Sequence, residues 1–202
     1  MKINSIQQIC KGAKRIDLYT EQTSTTQWIS DGCAFYPLYN LPKLERENVF
    51  ALFDIPEKKQ NKIHFEQKYI LPECLDFSDH NRAENLIESG NVAIYARGRV
   101  LIPLKTSLGI VYINQKHLTP FKDAENGVQL YERITPSGSV YIAVKEGFLL
   151  TGIILPYDIV TKEFVEELKT IYELSAIVEK EKRILPAQGE DPEQIELGEI
   201  DE

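Results

Sequence analysis

The sequence predicts an α+β fold made mainly of antiparallel sheet, with two helix-β-β-β units, a long C-terminal helix and a disordered acidic tail. Short segments that alternate apolar and polar residues recur near both ends of the chain, and this period of two is typical of half-buried strands. Acid-glycine pairs, Asp31-Gly32 and Glu146-Gly147, separate some of these segments in the way that hairpin turns do. A broad apolar stripe of helical period lies near the C-terminus and predicts the long helix.

The N-terminal segment predicts one helix and three strands. Ile6, Ile9 and Cys10 fall on one face of a helix over residues 5–13. The three antiparallel strands are predicted over residues 15–20, 26–30 and 33–38. The segment 41–90 is less regular and predicts a helix over 45–55, a strand over 63–71 and a helix over 78–90 with Ser78 as its N-cap.

Strands resume in the second half of the chain. They are predicted over residues 92–98, 99–105, 109–113, 128–134, 139–144 and 148–155, and the long helix over 161–183. A short helix precedes residue 128, and Pro120 breaks it unless the helix starts there with Thr119 as N-cap. We therefore predict a single α+β domain over residues 1–185, with candidate repeat units at 1–40 and 91–160 around an intervening segment at 41–90.

The acidity of the chain is concentrated in its tail, residues 186–202. The formal net charge is −8, and this tail contains seven acids and no base. Subtracting these seven from the 31 acids leaves 24 against 23 bases, so the predicted domain is nearly neutral and can carry a basic face. The apolar runs are much shorter than the ~20 residues of a membrane span, and no signal peptide is recognisable, so we expect a cytoplasmic protein without a membrane partner.

The two strand-rich ends of the chain share a pattern. Leu18-Tyr19 and Trp28-Ile29 correspond to Leu130-Tyr131 and Tyr141-Ile142, and each segment closes on an acid-glycine turn. An internal repeat explains this pattern, and so does the polar-apolar rhythm that any two half-buried hairpins share. A helix followed by three antiparallel strands, present twice, resembles the building unit of DNA sliding clamps, the processivity factors of replication. The resemblance covers residues 5–38 and 111–159, whereas the segment 41–90 and the long C-terminal helix depart from a minimal clamp.

The resemblance to clamps implies a set of DNA-binding residues. In clamps, the helices of these units line the inner face of a ring and present Lys and Arg to DNA phosphates. The corresponding cations are Lys11, Lys14 and Arg15 in the first unit and Lys116 and Lys122 in the second. Arg97 and Arg99 flank a glycine at a predicted strand-to-strand turn, which also suits phosphate contact. The alternative is that all of these are solvated residues beside helices and turns.

No motif assigns an enzymatic chemistry, and we predict no catalytic residue, no cofactor and no metal site. The histidines are His64, His80 and His117. Asp76 and Asp79 near His80 come nearest to a metal-binding pattern, but nothing in the spacing brings a second histidine to them. Cys33 follows the Asp31-Gly32 turn, and its place at the start of an apolar strand predicts burial rather than reactivity.

Three functional hypotheses follow from these patterns. The first is a non-catalytic, clamp-like protein of phage or prophage type that binds duplex DNA or replication proteins and self-associates. The second is a protein-interaction or inhibitor module that uses the acidic tail or the C-terminal helix. The candidate interaction face of that helix contains Phe164, Leu168, Ile171 and Tyr172. The third is an enzyme or small-molecule binder whose site is assembled only by the fold.

Overall fold

The structure is a computed structural model that describes residues 3–20, 26–88, 90, 92–122 and 127–184, with side chains described as far as residue 178. Its helices are α1 (Ile3–Lys11), α2 (Arg46–Leu52), α3 (Glu57–Gln60), a 3₁₀ helix (Gln115–Phe121) and α4 (Lys162–Ile184). Its strands are β1 (Arg15–Tyr19), β2 (Gln27–Ser30), β3 (Ala34–Leu38), β4 (His64–Lys68), β5 (Asn85–Ile87), β6 (Ile94–Ala96), β7 (Arg99–Thr106), β8 (Gly109–Asn114), β9 (Gln129–Ile134), β10 (Val140–Glu146) and β11 (Leu149–Ile154). These elements confirm the predicted α+β class, while the acidic tail and its predicted disorder lie outside the described residues.

The main sheet has eight strands in the order β4-β1-β2-β3-β11-β10-β9-β5. Every neighbouring pair is antiparallel except β1 and β4, which are parallel. The six central strands are two three-stranded meanders, β1–β3 and β9–β11, which join where β3 pairs with β11 and Phe35 lies opposite Ile153. A twofold axis normal to the sheet near this pair exchanges the two meanders. Each meander follows a helix in the chain, α1 or the 3₁₀ helix, so both predicted helix-β-β-β units are present.

The strand register permits only part of the residue matching between the two units. Leu18 pairs with Ile29, and Ile142 pairs with Glu132. If Ile29 and Ile142 are equivalent, Leu18 therefore corresponds to Glu132, and Leu130 lies two residues before Glu132 on β9. The matched residues still point to the same faces of the sheet, because a shift of two preserves the face.

The two faces of the sheet are covered by different parts of the chain. α1, α2, the 3₁₀ helix and the hairpin β7–β8 pack on one face, which we call the helix side, and form the larger core with Leu18, Ile29 and Tyr36 of the sheet. On the opposite face, Tyr19, Trp28, Phe35 and Tyr141 pack against the loop residues Leu75 and Phe77. On the helix side, α1 and the 3₁₀ helix lie next to each other, which brings the two units together.

The 3₁₀ helix accommodates Pro120, which the sequence predicted would break a helix there. The helix begins after Asn114, whose side-chain Oδ1 accepts a hydrogen bond of 3.1 Å from the Lys116 N–H, and Pro120 lies inside its last turn. Phe121 at its end packs tightly on β11. A Cβ atom at Gly152 would lie 2.6 Å from Cζ of Phe121, so this glycine permits the close approach.

The prediction of a helix over residues 78–90 is wrong. The described part of this segment is an irregular loop followed by β5, which pairs with β9. Arg133 explains the loop: its guanidinium donates hydrogen bonds of 2.9 Å to the backbone carbonyls of Asp76 and Ser78 and bonds to the Glu84 carboxylate. These contacts hold the backbone in a non-helical conformation. A carbonyl oxygen that accepts a hydrogen bond from Arg133 does not point along a helix axis toward the N–H group four residues later.

The chain divides into two compact regions, Met1–Asp158 and Ile159–Glu202. This division differs from the two helix-β-β-β units. All the strands found among the described residues belong to the first of these regions. In the second, α4 starts directly after Thr161, whose hydroxyl accepts a hydrogen bond of 3.3 Å from the Phe164 N–H. Its bounds agree with the predicted helix over 161–183. None of the described helices combines the length and apolar character that crossing a lipid bilayer requires.

Candidate nucleic-acid interface

A groove on the helix side of the sheet brings together cations from separate parts of the chain. It has a volume of about 500 Å³ and is lined by Gly12, Gly98, Arg99, Val100, Asn114, Gln115, Lys116, Thr119 and Lys122. Arg99, Lys116 and Lys122 are all exposed, and no carboxylate is found among the described lining residues. The groove therefore presents three cationic side chains, of which Lys116 is also paired with an acid outside the lining.

The hairpin between β6 and β7 positions the arginines. Arg97 and Gly98 form its two-residue turn, with φ angles of 49° and 74°. Positive φ at both turn residues is typical of a type I′ hairpin, which suits the twist of the two strands. Arg99 then opens β7, and its guanidinium lies over the Tyr157 ring at 4.4 Å from the centroid. The ring orients Arg99 at the groove, while Arg97 lies in the adjoining turn and is exposed.

Lys116 is held at the groove by a salt bridge to Asp31. Its Nζ lies 2.9 Å from Oδ2 of Asp31, and the Asp31 side chain is only 4% exposed against 45% for Lys116. The other carboxylate oxygen, Oδ1, accepts hydrogen bonds from the backbone N–H groups of Cys33 and Ala34. The carboxylate is thus fixed by the β2–β3 turn, and its salt bridge orients Lys116 at the groove.

The first unit contributes less to the groove than the sequence predicted. Lys11 forms a salt bridge of 2.9 Å with Asp54 at the end of α1, and Gly12 beside it lines the groove. Lys14 is exposed just before β1. Arg15 bonds to the carboxylates of Asp17 and Glu66, and it shares with Asp17 the sheet face opposite the helices. Arg15 is therefore directed away from the groove.

Asp31 also belongs to a group of three side chains of the types that ligate metals, which the sequence did not predict. One donor atom each from Asp31, Cys33 and His117 lie within 4.8 Å of one another. His117 is 2% exposed, and its Nδ1 lies 3.1 Å from the Tyr36 hydroxyl. Burial is the main cause that lowers the pKa of His117 to about 4. The negative charge of Asp31 acts in the opposite direction and raises this pKa, whereas the positive charges of Lys116 and Arg99 lower it further. The imidazole is consequently neutral at neutral pH.

Cys33 is exposed, so its predicted burial is wrong. Cys33 lies just before β3, whose five residues are all buried. The β2–β3 turn, in which the Cys33 N–H bonds to Asp31, leaves the Cys33 side chain at the surface. Partial burial of the thiol and the nearby Asp31 charge raise the pKa of Cys33, which does not favour a nucleophilic thiolate. Cys74 is also exposed, and Cys10 is buried.

The acids considered for a metal site near His80 are engaged with the protein itself. Asp76 accepts hydrogen bonds from the Ser78 N–H and the Asn81 side chain, at 2.9 and 2.8 Å. Asp79 accepts one of 2.8 Å from the Leu150 N–H. These carboxylates shape the loop on the opposite face of the sheet from the groove.

The predicted interaction face lies on α4. Phe164 and Leu168 are half-buried, whereas Ile171 and Tyr172 are 61% and 74% exposed. Val165, Leu174, Ile177 and Val178 are exposed as well. The helix therefore presents apolar side chains on more than one side.

The function of the groove has to follow from its own residues. No family model, curated protein or solved structure matched the chain. The positive charges, the helix-side location and the Asp31, Cys33 and His117 group next to Lys116 are the features that bear on a ligand.

Proposed function

We propose that this chain is a non-catalytic, clamp-like protein that binds duplex DNA, alone or together with replication proteins. The observation that carries the proposal is the convergence of Arg99, Lys116 and Lys122 on one groove. Cations that contact phosphates release the counterions of DNA, which gives an affinity that is independent of sequence and sensitive to salt. No base readout is needed for such binding. A cytoplasmic location, where DNA and replication proteins are found, belongs to the same proposal.

The arrangement of the two units supports the proposal. α1 and the 3₁₀ helix lie side by side on one face of the sheet, and the strand order of the two meanders is related by a twofold axis. In clamps the paired helices face the DNA, and here the groove lies on the helix side. The supporting cations come from the 3₁₀ helix, the residue after it and the first residue of β7, with Gly12 just after the end of α1.

Neutralising the groove tests DNA binding. The triple variant Arg99→Gln, Lys116→Gln, Lys122→Gln removes the three cations, and we expect it to bind a labelled duplex much more weakly in fluorescence anisotropy. Since each phosphate contact contributes about 0.9 to the slope of log K against log salt, we expect that slope to fall by about 2 to 3.

A second triple variant serves as the matched control. Lys43→Gln, Arg82→Gln and Lys105→Gln make the same change in net charge at exposed positions that do not line the groove. We expect this control to retain most of the affinity and of the salt slope. Equal losses in both variants would show that only net charge matters, and no salt-dependent binding by the unmodified protein would refute the proposal.

A second candidate function is protein interaction through α4. The exposure of Ile171 and Tyr172 favours it, because large apolar side chains on a solvated helix are typical of surfaces that a partner covers. A second copy of the chain is the simplest partner of this kind. This function does not compete with the groove, since DNA binding and self-association use different residues.

A further inference from the structure

We propose that Asp31, Cys33 and His117 bind a divalent transition-metal ion, with Zn²⁺ as the best fit and one water molecule as the fourth ligand. The proposal goes beyond DNA binding and does not depend on it. Thiolate sulfur and imidazole nitrogen are ligands that zinc prefers, whereas Mg²⁺ and Ca²⁺ favour oxygen alone. Three protein ligands and a water are the arrangement of an open zinc site.

The separation of the donor atoms suits a single ion. Nε2 of His117 lies 3.9 Å from Oδ2 of Asp31, and the whole group lies within 4.8 Å. Two ligands at about 2.0–2.1 Å from a tetrahedral zinc are about 3.3 Å apart. Small side-chain movements therefore complete the site, and Cys33, which is exposed beside the turn, is free to make the largest of them.

Tyr36 fixes the histidine in the form that a metal needs. Its hydroxyl donates to the His117 carbonyl oxygen at 3.3 Å and lies 3.1 Å from Nδ1. With the hydroxyl proton directed to the carbonyl, Nδ1 carries its own proton and donates it to the tyrosine oxygen. The lone pair is then on Nε2, the nitrogen that faces Asp31. A hydrogen bond on the second ring nitrogen is the usual support of a metal-binding histidine.

The β2–β3 turn prepares Asp31 in the same way. Oδ1 is occupied by two backbone N–H groups, and Gly32 adopts a φ of 86° that lets the chain reverse tightly. Oδ2 is left for a cation, and at present it holds the ammonium group of Lys116. A zinc ion would replace Lys116 as the partner of this oxygen and return the lysine to the groove.

The charges balance when the metal binds. Cys33 loses its thiol proton to solvent, so that Zn²⁺ with one thiolate, one carboxylate and a neutral imidazole has no net charge. A Cys-His-Asp catalytic relay does not fit the same residues. Such a relay needs the acid on the ring nitrogen that the thiol does not use, but Nδ1 is taken by Tyr36 and Asp31 faces Nε2.

Cobalt titration of the reduced, full-length protein tests the site. After removal of metals with a chelator, we expect one equivalent of Co²⁺ to produce a sulfur-to-cobalt charge-transfer band and the visible bands of tetrahedral cobalt, both abolished by one equivalent of Zn²⁺. Cys33→Ser should remove the charge-transfer band, and Tyr36→Phe should weaken binding by about tenfold or more. Cys33 is exposed, so its variant is not expected to compromise folding.

Two matched control variants, and one variant that is expected to tighten cobalt binding, make the test more specific. Cys74→Ser and His64→Gln change an exposed cysteine and an exposed histidine outside the group, and both should leave the spectrum unchanged. Lys116→Met removes the competing cation and should tighten cobalt binding, by up to about tenfold. No charge-transfer band in the unmodified protein, a band that survives Cys33→Ser, or weaker binding by Lys116→Met would each overturn the assignment of these three ligands.

Discussion

At the scale of single residues, Arg133 shows how one side chain organises a distant loop. Among the described residues it is the largest side chain that is completely buried. Its guanidinium shares the Glu84 carboxylate with Lys145, at distances of 2.6 Å from each cation to one of the two carboxylate oxygens. Burial alone would raise the pKa of Glu84, but the hydrogen bonds from Lys145 and Arg133 lower it. The cluster is therefore ionised and mutually dependent.

Removing the charge of Glu84 should be strongly destabilising. Glu84→Gln leaves Arg133 and Lys145 buried without an acid between them, and breaking such a group typically costs about 3–5 kcal/mol in the free energy of unfolding. Urea denaturation at neutral pH measures this loss.

Glu66→Gln is the control for Glu84→Gln, because it removes an acid from the half-exposed pair with Arg15, where we expect a loss below about 1 kcal/mol. Since the pKa of Glu84 is lowered, its contribution is present above the ordinary carboxyl pKa and disappears as the pH falls through the lowered value. Equal losses from the two variants would contradict the importance of burial.

At the scale of elements, the contact between the 3₁₀ helix and β11 depends on the absence of a side chain. A Cβ at Gly152 would approach the Phe121 ring to 2.6 Å and the Phe35 carbonyl oxygen to 3.2 Å. The aromatic ring therefore occupies the space that a side chain would take. Because α1 contacts the same 3₁₀ helix, displacing it also disturbs the groove.

Gly152→Ala should lower the stability of the protein by about 1–3 kcal/mol, since overpacking forces the ring or the strand to move. Gly12→Ala is the matched control: its Cβ would meet only backbone oxygens at 3.7 Å, which is ordinary contact. Thermal unfolding followed by circular dichroism compares the two. A Gly152→Ala protein as stable as the Gly12→Ala protein would show that the ring adapts without cost.

The elements that the sequence predicted well are those whose pattern is local. Strands β1 and β9 alternate apolar and polar residues, strands β3, β10 and β11 are short apolar runs bounded by turn residues, and the stripe of α4 repeats with helical period. Neighbouring residues therefore suffice to predict these elements. The segment 78–90 was predicted wrongly because Arg133, more than forty residues away from its partner Glu84, decides its path. Pro120 was also misjudged, since a 3₁₀ helix with a side-chain cap from Asn114 tolerates it.

At the scale of the whole molecule, the candidate site could be predicted only in part. Lys116, Lys122 and Arg99 were identified as separate cations, but their convergence depends on how the β6–β7 hairpin folds over the 3₁₀ helix. Asp31 and Cys33 are close in sequence, whereas His117 reaches them only through the packing of the two units. A single sequence contains no local signal for that encounter.

Self-association through α4 is a property of the whole chain and can be measured directly. Light scattering over a range of concentrations should show a dimer or larger species, and Ile171→Glu should return the protein to the monomer by placing a charge in the apolar contact. Thr170→Glu, at an exposed polar neighbour, should leave the association unchanged. A strict monomer at every concentration would rule out α4 as a self-association surface.

The twofold relation between the meanders ends at the outermost strands. β4 runs parallel to β1 at one edge, and β5 runs antiparallel to β9 at the other. The two edge strands therefore differ in their direction relative to the neighbouring strand. They also differ in length, with five residues in β4 and three in β5. Copies that met through one kind of edge only, β4 to β4 or β5 to β5, would stop growing at a pair. Copies that joined β4 to β5 would always leave a free margin at each end, and only ring closure would satisfy both.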